Sequence, residues 1–195
     1  MKKNNIMKSF DYDVFKNQIE DKSCLCILDH IRYDKRPCFL INGMQYVSAG
    51  VLFWTEKNGI YYLMVQRSYY PEGHIIEDFG GKSDISDKCI RDVAIRECLE
   101  ELNFKISERD IKIKSADLIY LPLCKYLLYL VFLEPEYMTI YNPELFGKEE
   151  LHEHINRTVE WISYKNYIYE YNNLKLNPRL SQCTNEILIK MIGYK

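Results

Sequence analysis

The sequence predicts a mixed α+β domain in which several short strands surround one prominent helix. Segments rich in aromatic and β-branched residues recur between residues 46 and 134, and such segments are typical of strands. Residues 89–102 instead repeat their apolar positions at helical spacing. The chain has 195 residues, of which 47% are hydrophobic and 28% are charged, so it can bury a sizeable core as one domain.

The first regular element is predicted to be a β-hairpin. Residues 46–54 (YVSAGVLFW) and 60–67 (IYYLMVQR) both have the composition of strands. Asn58 and Gly59 lie between them and accept the positive φ angles of a tight turn. We therefore expect these two strands to pair in antiparallel fashion.

Shorter elements are predicted along the rest of the chain. The further strands are 75–79, 117–123, 126–134 and 159–163. A helix at 185–192 is expected to close the fold. Residues 1–45 mix charges with short apolar stretches, and we expect them to form an N-terminal extension packed on a domain that spans 46–195.

The helix at 89–102, with Ser86 or Asp87 as its candidate N-cap, carries acids where its periodicity calls for apolar residues. Ile90, Val93 and Ala94 form a stripe at the i, i+3, i+4 spacing of a buried face. The same stripe continues through three carboxylates, Glu97, Glu100 and Glu101. The opposite side is apolar as well, so we expect this helix to lie between other elements.

Three carboxylates this close repel one another, and partial burial adds to their cost. Arg96 can pair with Glu100 at i+4, but one guanidinium does not neutralise three acids. A divalent cation does so, and oxygen-only ligands on one helical face suit Mg²⁺ or Mn²⁺. On the residues alone, the alternative is a solvated acidic end of the helix.

Residues 80–104, GGKSDISDKCIRDVAIRECLEELNF, resemble the Nudix box, usually written G-x5-E-x7-R-E-U-x-E-E-x-G-U with U apolar. The R-E-x-x-E-E core is intact as RECLEE. Residues 46–67 resemble the opening hairpin of that fold, and Glu160-Trp161 resembles a segment found later in the domain. The resemblance covers residues 46–165 and implies an α/β/α sandwich with a mixed β-sheet and the catalytic helix at about 89–102.

The sequence departs from this pattern at three points, which affect the choice of substrate more than the type of reaction. The gap between the glycine pair and the arginine is one residue longer than usual. Lys88 stands where strict counting places the first acid, so Asp84 or Asp87 replaces that acid. Asn103 replaces the final glycine, which is physically harmless because asparagine tolerates the left-handed conformation that ends a helix.

The resemblance implies hydrolysis of a diphosphate linkage in a nucleoside diphosphate linked to another moiety X. Glu97 and Glu101, one turn apart, are the first candidate metal ligands. Glu100 is a third, and it is grouped with Arg96, which would orient the glutamates, among the catalytic residues. The carbonyl of Gly81 is a further candidate ligand, because glycine lets the backbone approach a metal closely.

The general base in this family is often a glutamate on a later loop. Here the charged run 147–153 makes Glu149 or Glu150 the candidate base, with a solvated charge run as the alternative. Arg67, at the end of the second hairpin strand, and Lys82 are candidates for binding substrate phosphates. A salt-bridged strand end is the alternative interpretation of Arg67.

Several substrates and one other class of function stay open. ADP-ribose, dinucleoside polyphosphates, coenzyme A, diphosphoinositol phosphates and the mRNA cap all suit one metal site with different pockets. A cap or inositol substrate calls for clustered basic residues, for which the candidates are Lys105, Lys112 and Lys114, the last two on one face of a strand. The other class is a Nudix-fold module that binds RNA or a nucleotide without catalysis, although such proteins usually lose acids that this chain retains.

Composition limits the partners and the location. The net charge of −2 argues against a protein held to nucleic acid mainly by bulk electrostatics, so RNA is expected as a partner only if the enzyme is directed to the cap. Seven cysteines without a CxxC pair suggest reduced thiols, and no apolar run is long enough to span a bilayer. We expect a cytoplasmic protein without membrane association, in which 1–45 and 166–195 shape either the pocket or a homodimer interface.

Overall fold

The computed structural model describes residues 26–32, 35–150 and 154–194. The strands in these residues are β1 Ile27–Ile31, β2 Pro37–Ile41, β3 Met44–Tyr46, β4 Ser48–Lys57, β5 Ile60–Tyr70, β6 Gly73–Glu77, β7 Phe79–Lys82, β8 Asp117–Leu121, β9 Tyr126–Phe132, β10 Glu149–Glu150 and β11 Ile155–Ser163. The α-helices are α1 Ile90–Glu101, α2 Tyr137–Ile140, α3 Tyr164–Asn172 and α4 Pro178–Gly193. Short 3-10 turns lie at Glu108–Ile111, Ile113–Ser115, Pro122–Cys124 and Pro143–Phe146.

The main sheet is mixed, as predicted. Its strand order is β10-β11-β5-β4-β9-β8, and β6 and β7 pair with β5 and β4 respectively. The predicted hairpin is confirmed, because β4 and β5 pair antiparallel with Lys57 opposite Ile60 and with positive φ at Asn58 and Gly59. The pair β4 and β9 is parallel.

Helices cover both faces of this sheet. Along β4, Val51 and Phe53 point into the core that α1 completes. Leu52 and Trp54 point into a second core, which is closed by α3 and α4. Residues 48–55 of β4 are all buried because both faces of the strand are covered, which explains its continuous apolar run. The predicted α+β class, in the form of an α/β/α sandwich, is confirmed.

The hairpin opens at one end, and this opening positions the functional site. β5 pairs with β4 over residues 60–64 but with β6 over residues 66–70. The first residues of β4 pair with β7 instead. The chain passes from β6 to β7 at Asp78, so this buried carboxylate lies where the hairpin strands diverge.

A second, three-stranded sheet is formed by β1, β2 and β3. Phe39, Ile41 and Tyr46 of this sheet are buried in the same core as α1. Phe39 and Ile41 fall within the predicted N-terminal extension and share this apolar core with α1. Residues 1–25 of that extension lie outside the described residues.

Several local predictions were wrong. The N-cap of α1 is Cys89 rather than Ser86 or Asp87, because the carboxylate of Asp92 accepts from the Cys89 backbone N–H at 3.2 Å. The unpredicted helix α3 has a tyrosine-rich sequence that resembles a strand by composition. α4 begins at Pro178, earlier than expected, since proline suits the first turn of a helix. Within the described ranges, no helix combines the length and apolar character that a bilayer span demands.

Candidate active site

A cleft of about 580 Å³ opens where the hairpin strands diverge. It combines acidic and basic side chains. The carboxylates that line it are Glu77, Asp84, Glu97, Glu100, Glu101 and Glu150. The cationic residues that line it are Arg36, Lys82, Arg96 and Arg179. This mixture suits a ligand that carries negative charge and binds together with a metal ion.

Helix α1 delivers its three predicted carboxylates to one wall of the cleft. The side chains of Glu97 and Glu100 are largely buried, and Arg96 lies between them. Nη1 of Arg96 donates to Glu97 Oε1 at 2.9 Å and to Glu100 Oε2 at 3.0 Å. The guanidinium therefore fixes the orientation of both carboxylates.

Arg96 is itself anchored on the loop between β7 and α1. Asp87, which is 3% exposed, accepts hydrogen bonds from its guanidinium, and the carbonyl of Lys82 accepts another from Nη2 at 2.8 Å. Asp84 lines the cleft, and its carboxylate accepts from the backbone and hydroxyl of Ser86. Of the two aspartates considered as the replacement acid, Asp87 orders the arginine and Asp84 faces the cleft.

Glu101 has the least favourable surroundings of the three glutamates. Its Oε2 is inaccessible to solvent and has no hydrogen-bond partner among the described residues. Burial raises the pKa of Glu101 well above its ordinary range, and Asp78 and Glu77 add to this effect while Arg179 opposes it. Burial also raises the pKa of Glu97, although Arg96 opposes that shift. The protein alone therefore disfavours the charged forms of these two glutamates, and a bound cation would favour them.

Gly81 lies directly against Glu97. A Cβ atom at position 81 would lie 2.3 Å from Glu97 Oε2, so a larger residue would displace the carboxylate. The buried oxygen of Glu101 without a partner and the space that Gly81 preserves both fit a bound cation. The donor set contains only carboxylate and backbone oxygen, which Mg²⁺ and Mn²⁺ prefer.

Behind this wall lies a buried cluster that the sequence analysis missed. Asp78 is fully buried and accepts hydrogen bonds from the hydroxyl of Tyr126 and from Arg179 Nε, the latter at 2.8 Å. Arg179 Nη2 also donates to the carbonyl of Gly80 at 3.0 Å, and its guanidinium lies 4.7 Å from the centre of the Tyr126 ring. Arg179, in the first turn of α4, is thereby held at the edge of the cleft.

Two more buried polar groups were also missed. Arg157 of β11 is 1% exposed, and none of its guanidinium nitrogens has a hydrogen-bond partner among the described residues. Burial lowers the pKa of Arg157, while the nearby carboxylates of Glu101 and Glu150 raise it. Gln66 of β5 is 3% exposed and lines the cleft. For Gln66 the available signal was an amide inside an otherwise apolar predicted strand, whereas Arg157 precedes the predicted strand at 159–163 and gave no such signal.

The two candidate bases lie in different environments. Glu150 lines the cleft and is 3% exposed. The Glu149 side chain is 49% exposed and hydrogen bonds with Nδ1 of His154 at 3.1 Å. Nδ2 of Asn103, which has positive φ as predicted, donates to the carbonyl of Glu149 at 2.9 Å and so ties this segment to the end of α1.

Of the two candidate phosphate-binding residues, only Lys82 lines the cleft. Arg67 donates to Glu160 and, from Nη1, to Glu170 at 3.0 Å, so it is a salt-bridged strand residue. Alternation along β5 turns Gln66 rather than Arg67 toward the cleft. Arg67 therefore lies outside the cleft lining, in the salt-bridged position that the alternative interpretation describes.

The basic residues proposed for a cap or inositol substrate are also outside this site. Lys112 and Lys114 lie in or beside 3-10 turns rather than on one face of a strand. The ammonium of Lys112 lies over the Tyr137 ring, 4.7 Å from its centre. Neither of these residues nor Lys105 lines the cleft.

Solved structures of other proteins resemble this chain. An Ap4A hydrolase of C. elegans in a binary complex has 16% identity and a TM-score of 0.49, over 75% of this chain and 97% of that chain. A second structure of C. elegans Ap4A hydrolase has 17% identity and a TM-score of 0.43, over 76% and 98%. A protein assigned as a NUDIX hydrolase from Listeria monocytogenes has 15% identity and a TM-score of 0.43, over 77% and 96%. No family model and no curated protein sequence matches the chain, and similarities this low add no support to a particular activity.

Proposed function

We propose that this chain is a Nudix-type pyrophosphohydrolase, which hydrolyses a diphosphate linkage in a nucleoside diphosphate linked to another moiety. The observation that supports this most directly is the acidic wall of the cleft. Glu97, Glu100 and Glu101 share one face of α1, beside the glycine backbone of β7, and one oxygen of Glu101 is buried without a partner. Such an arrangement is costly unless a cation binds there.

In this proposal Glu97, Glu100, Glu101 and the carbonyl of Gly81 hold Mg²⁺ or Mn²⁺. When bound, such a cation supplies neutralisation of the diphosphate charge and Lewis-acid activation of the attacking water. Arg96 keeps Glu97 and Glu100 in place through its two hydrogen bonds. These bonds limit rearrangement of the wall when substrate enters.

The remaining roles fall to residues on other elements. Glu150 is the favoured general base, because it faces the cleft while Glu149 faces solvent. As base it would take a proton from the attacking water and so assist attack on phosphorus. Lys82 and Arg179 would bind the phosphate oxygens of the substrate, with Arg179 held ready by Asp78 and Gly80.

The cleft favours a small phosphorylated substrate over RNA. Its volume of about 580 Å³ lies in the range of sites for nucleotide-sized ligands. The basic residues that would support a cap or inositol substrate lie elsewhere, as described above. The residues 166–195 contribute Arg179 to the pocket, which favours a pocket-forming role for that segment. A cytoplasmic location belongs to the same proposal, since each of the six described cysteines is a free thiol.

The test is product release from a panel of diphosphates with Mg²⁺ or Mn²⁺, comparing wild type with Glu101→Gln. The panel contains ADP-ribose, a dinucleoside polyphosphate, coenzyme A, a diphosphoinositol phosphate and capped RNA. We expect metal-dependent cleavage of one of the small nucleotides. In Glu101→Gln this cleavage should fall by more than about a hundredfold.

The matched control is Glu186→Gln, which makes the same change on the exposed surface of α4 and should leave the rate unchanged. Tight binding of a panel compound without cleavage, equal in wild type and Glu101→Gln, would instead support a binding module. Cleavage that persists in Glu101→Gln would exclude the proposed metal site. Cleavage of capped RNA alone would exclude the preference for a small substrate.

A further inference from the structure

Outside the cleft, the three-stranded sheet carries three side chains with metal-ligating atoms. Asp29 and His30 lie on β1, and Cys38 lies on β2. One ligand atom from each of these residues lies within 4.8 Å of the other two. Oxygen, nitrogen and sulfur ligands in one group are a combination that suits zinc, whereas Mg²⁺ prefers oxygen alone.

An irregularity in β1 creates this group. Leu28 pairs with Phe39 and His30 pairs with Cys38, which leaves Asp29 as an extra residue between them. Neighbouring side chains of a regular strand point to opposite faces, whereas a β-bulge can redirect one of them. Here Oδ2 of Asp29 lies 2.8 Å from Nδ1 of His30. The bulge therefore brings two consecutive ligands together, opposite a cysteine.

Polar neighbours hold the aspartate in position. Nε2 of Gln45, on β3, donates to Oδ2 of Asp29 at 2.8 Å. The amide oxygen of Gln45 accepts in turn from Nζ of Lys125 at 3.2 Å. Outer hydrogen bonds of this kind orient the ligands in protein metal sites. The group and its support thus span all three strands of the sheet.

The burial of these residues distinguishes a metal site from a nucleophilic one. Cys38 is 1% exposed, whereas the side chains of His30 and Asp29 are 48% and 28% exposed. A catalytic cysteine must be accessible to its substrate, and this sulfur is covered. A cation can reach the group from the side of His30 and Asp29, where water is available as a fourth ligand.

We propose that Asp29, His30 and Cys38 bind one zinc-type divalent cation, with water completing a four-coordinate shell. This site is chemically separate from the carboxylates of α1, which offer only oxygen. The cation would join β1 to β2, and β2 is joined to the cleft by Ser83, whose Oγ donates to the carbonyl of Pro37 at 2.7 Å. Binding there would therefore stabilise the small sheet and one wall of the cleft.

The test uses Co²⁺ alone, titrated into the full chain in the absence of substrate. A thiolate ligand produces a near-ultraviolet charge-transfer band with Co²⁺, which carboxylate ligands do not produce. We expect one equivalent of Co²⁺ to produce this band and Zn²⁺ to abolish it by displacement. Cys38→Ser should lose the band, and His30→Gln should weaken Co²⁺ binding by about tenfold or more.

Matched controls separate metal ligation from general effects on folding. Cys183→Ser removes a thiol that is also 1% exposed, and His154→Gln removes another exposed histidine. Both controls should keep the band and the affinity of wild type. Absence of the band in wild type, or its persistence in Cys38→Ser, would overturn the proposal. If Cys38→Ser does not fold, an unchanged affinity for Co²⁺ in His30→Gln, at an exposed residue, would overturn the proposal instead. None of these outcomes bears on diphosphate hydrolysis.

Discussion

The guanidinium of Arg96 donates to both carboxylate oxygens of Asp87, from Nε to Oδ1 at 3.1 Å and from Nη2 to Oδ2 at 3.0 Å. The same side chain uses Nη1 for Glu97 and Glu100. One arginine therefore connects the loop before α1 with two of the candidate metal ligands. Because both oxygens of Asp87 are used, the plane of the guanidinium is fixed, which a lysine at position 96 would not reproduce.

Asp87→Asn should consequently lower both activity and stability. The asparagine can accept only one of the two hydrogen bonds and cancels no charge on Arg96. We expect a loss of about 1–2 kcal/mol in the free energy of unfolding and a tenfold or larger loss of kcat, on the order seen for residues that orient metal ligands. Urea denaturation and steady-state kinetics measure the two effects. Asp117→Asn is the control, at an aspartate outside the cleft whose side chain is 40% exposed and 3.7 Å from Lys190 Nζ; it should leave kcat unchanged and alter the free energy of unfolding by at most about 0.5 kcal/mol. An unaltered kcat in Asp87→Asn would contradict the orienting role.

Glu101→Gln should separate activity from stability. The substitution removes a buried carboxylate whose Oε2 has no partner, so the metal-free protein should be as stable as wild type or more stable by about 1 kcal/mol. Activity should nevertheless fall as described above. Thermal unfolding in a chelator checks this, and unfolding with added Mg²⁺ should show a smaller stabilisation than in wild type. A marked loss of stability in the chelator would indicate that the carboxylate is satisfied within the protein.

Glu150→Gln and Glu149→Gln should differ strongly, although the residues are adjacent. Loss of a general base costs about a hundredfold or more in kcat. We expect this loss in Glu150→Gln, because Glu150 lines the cleft. Glu149→Gln should remain within about twofold of wild type. The reverse result would show that the exposed glutamate supplies the base.

Arg67→Gln should affect folding rather than catalysis. It breaks the salt bridges to Glu160 and Glu170. The Arg67 side chain is only 16% exposed, so water replaces these partners poorly. The free energy of unfolding should fall by about 1–3 kcal/mol, while kcat and KM of the folded fraction remain within about twofold. A large change of KM in Arg67→Gln would restore Arg67 as a substrate contact.

Lys82→Gln is the converse case. The exposed side chain of Lys82 lines the cleft, so the substitution should raise KM without changing stability.

Glu170 should contribute to the loss of stability in acid. Burial alone would raise the pKa of Glu170, but hydrogen bonds from His74 and Arg67, and their charges, lower it overall. The folded state then binds this proton less readily than the unfolded state, so the stabilisation is present above the ordinary glutamate pKa. It is lost as the pH falls through the lowered value. Between about pH 5 and 3, Glu170→Gln should show a shallower decline of stability than wild type or the exposed variant Glu186→Gln, and an equal slope would contradict this.

Local rules in the sequence were enough to predict the elements that carry the acids. The hairpin of β4 and β5 follows from a turn that accepts positive φ, and α1 follows from a repeat at helical spacing. The same repeat places Glu97, Glu100 and Glu101 on one face, because a helix has a fixed number of residues per turn. Each of these predictions depends only on residues close together in the chain.

Tertiary structure decided which of these faces meet. Asp78, Tyr126 and Arg179 are far apart in sequence and form one cluster only because β6, β9 and α4 converge at the open end of the hairpin. The pairing of the strands likewise decides that Glu150 rather than Glu149 reaches the cleft. The periodicity of the sequence predicts which side chains share a face. The element that packs against that face is decided by long-range packing of the apolar cores, and no local pattern predicts that packing.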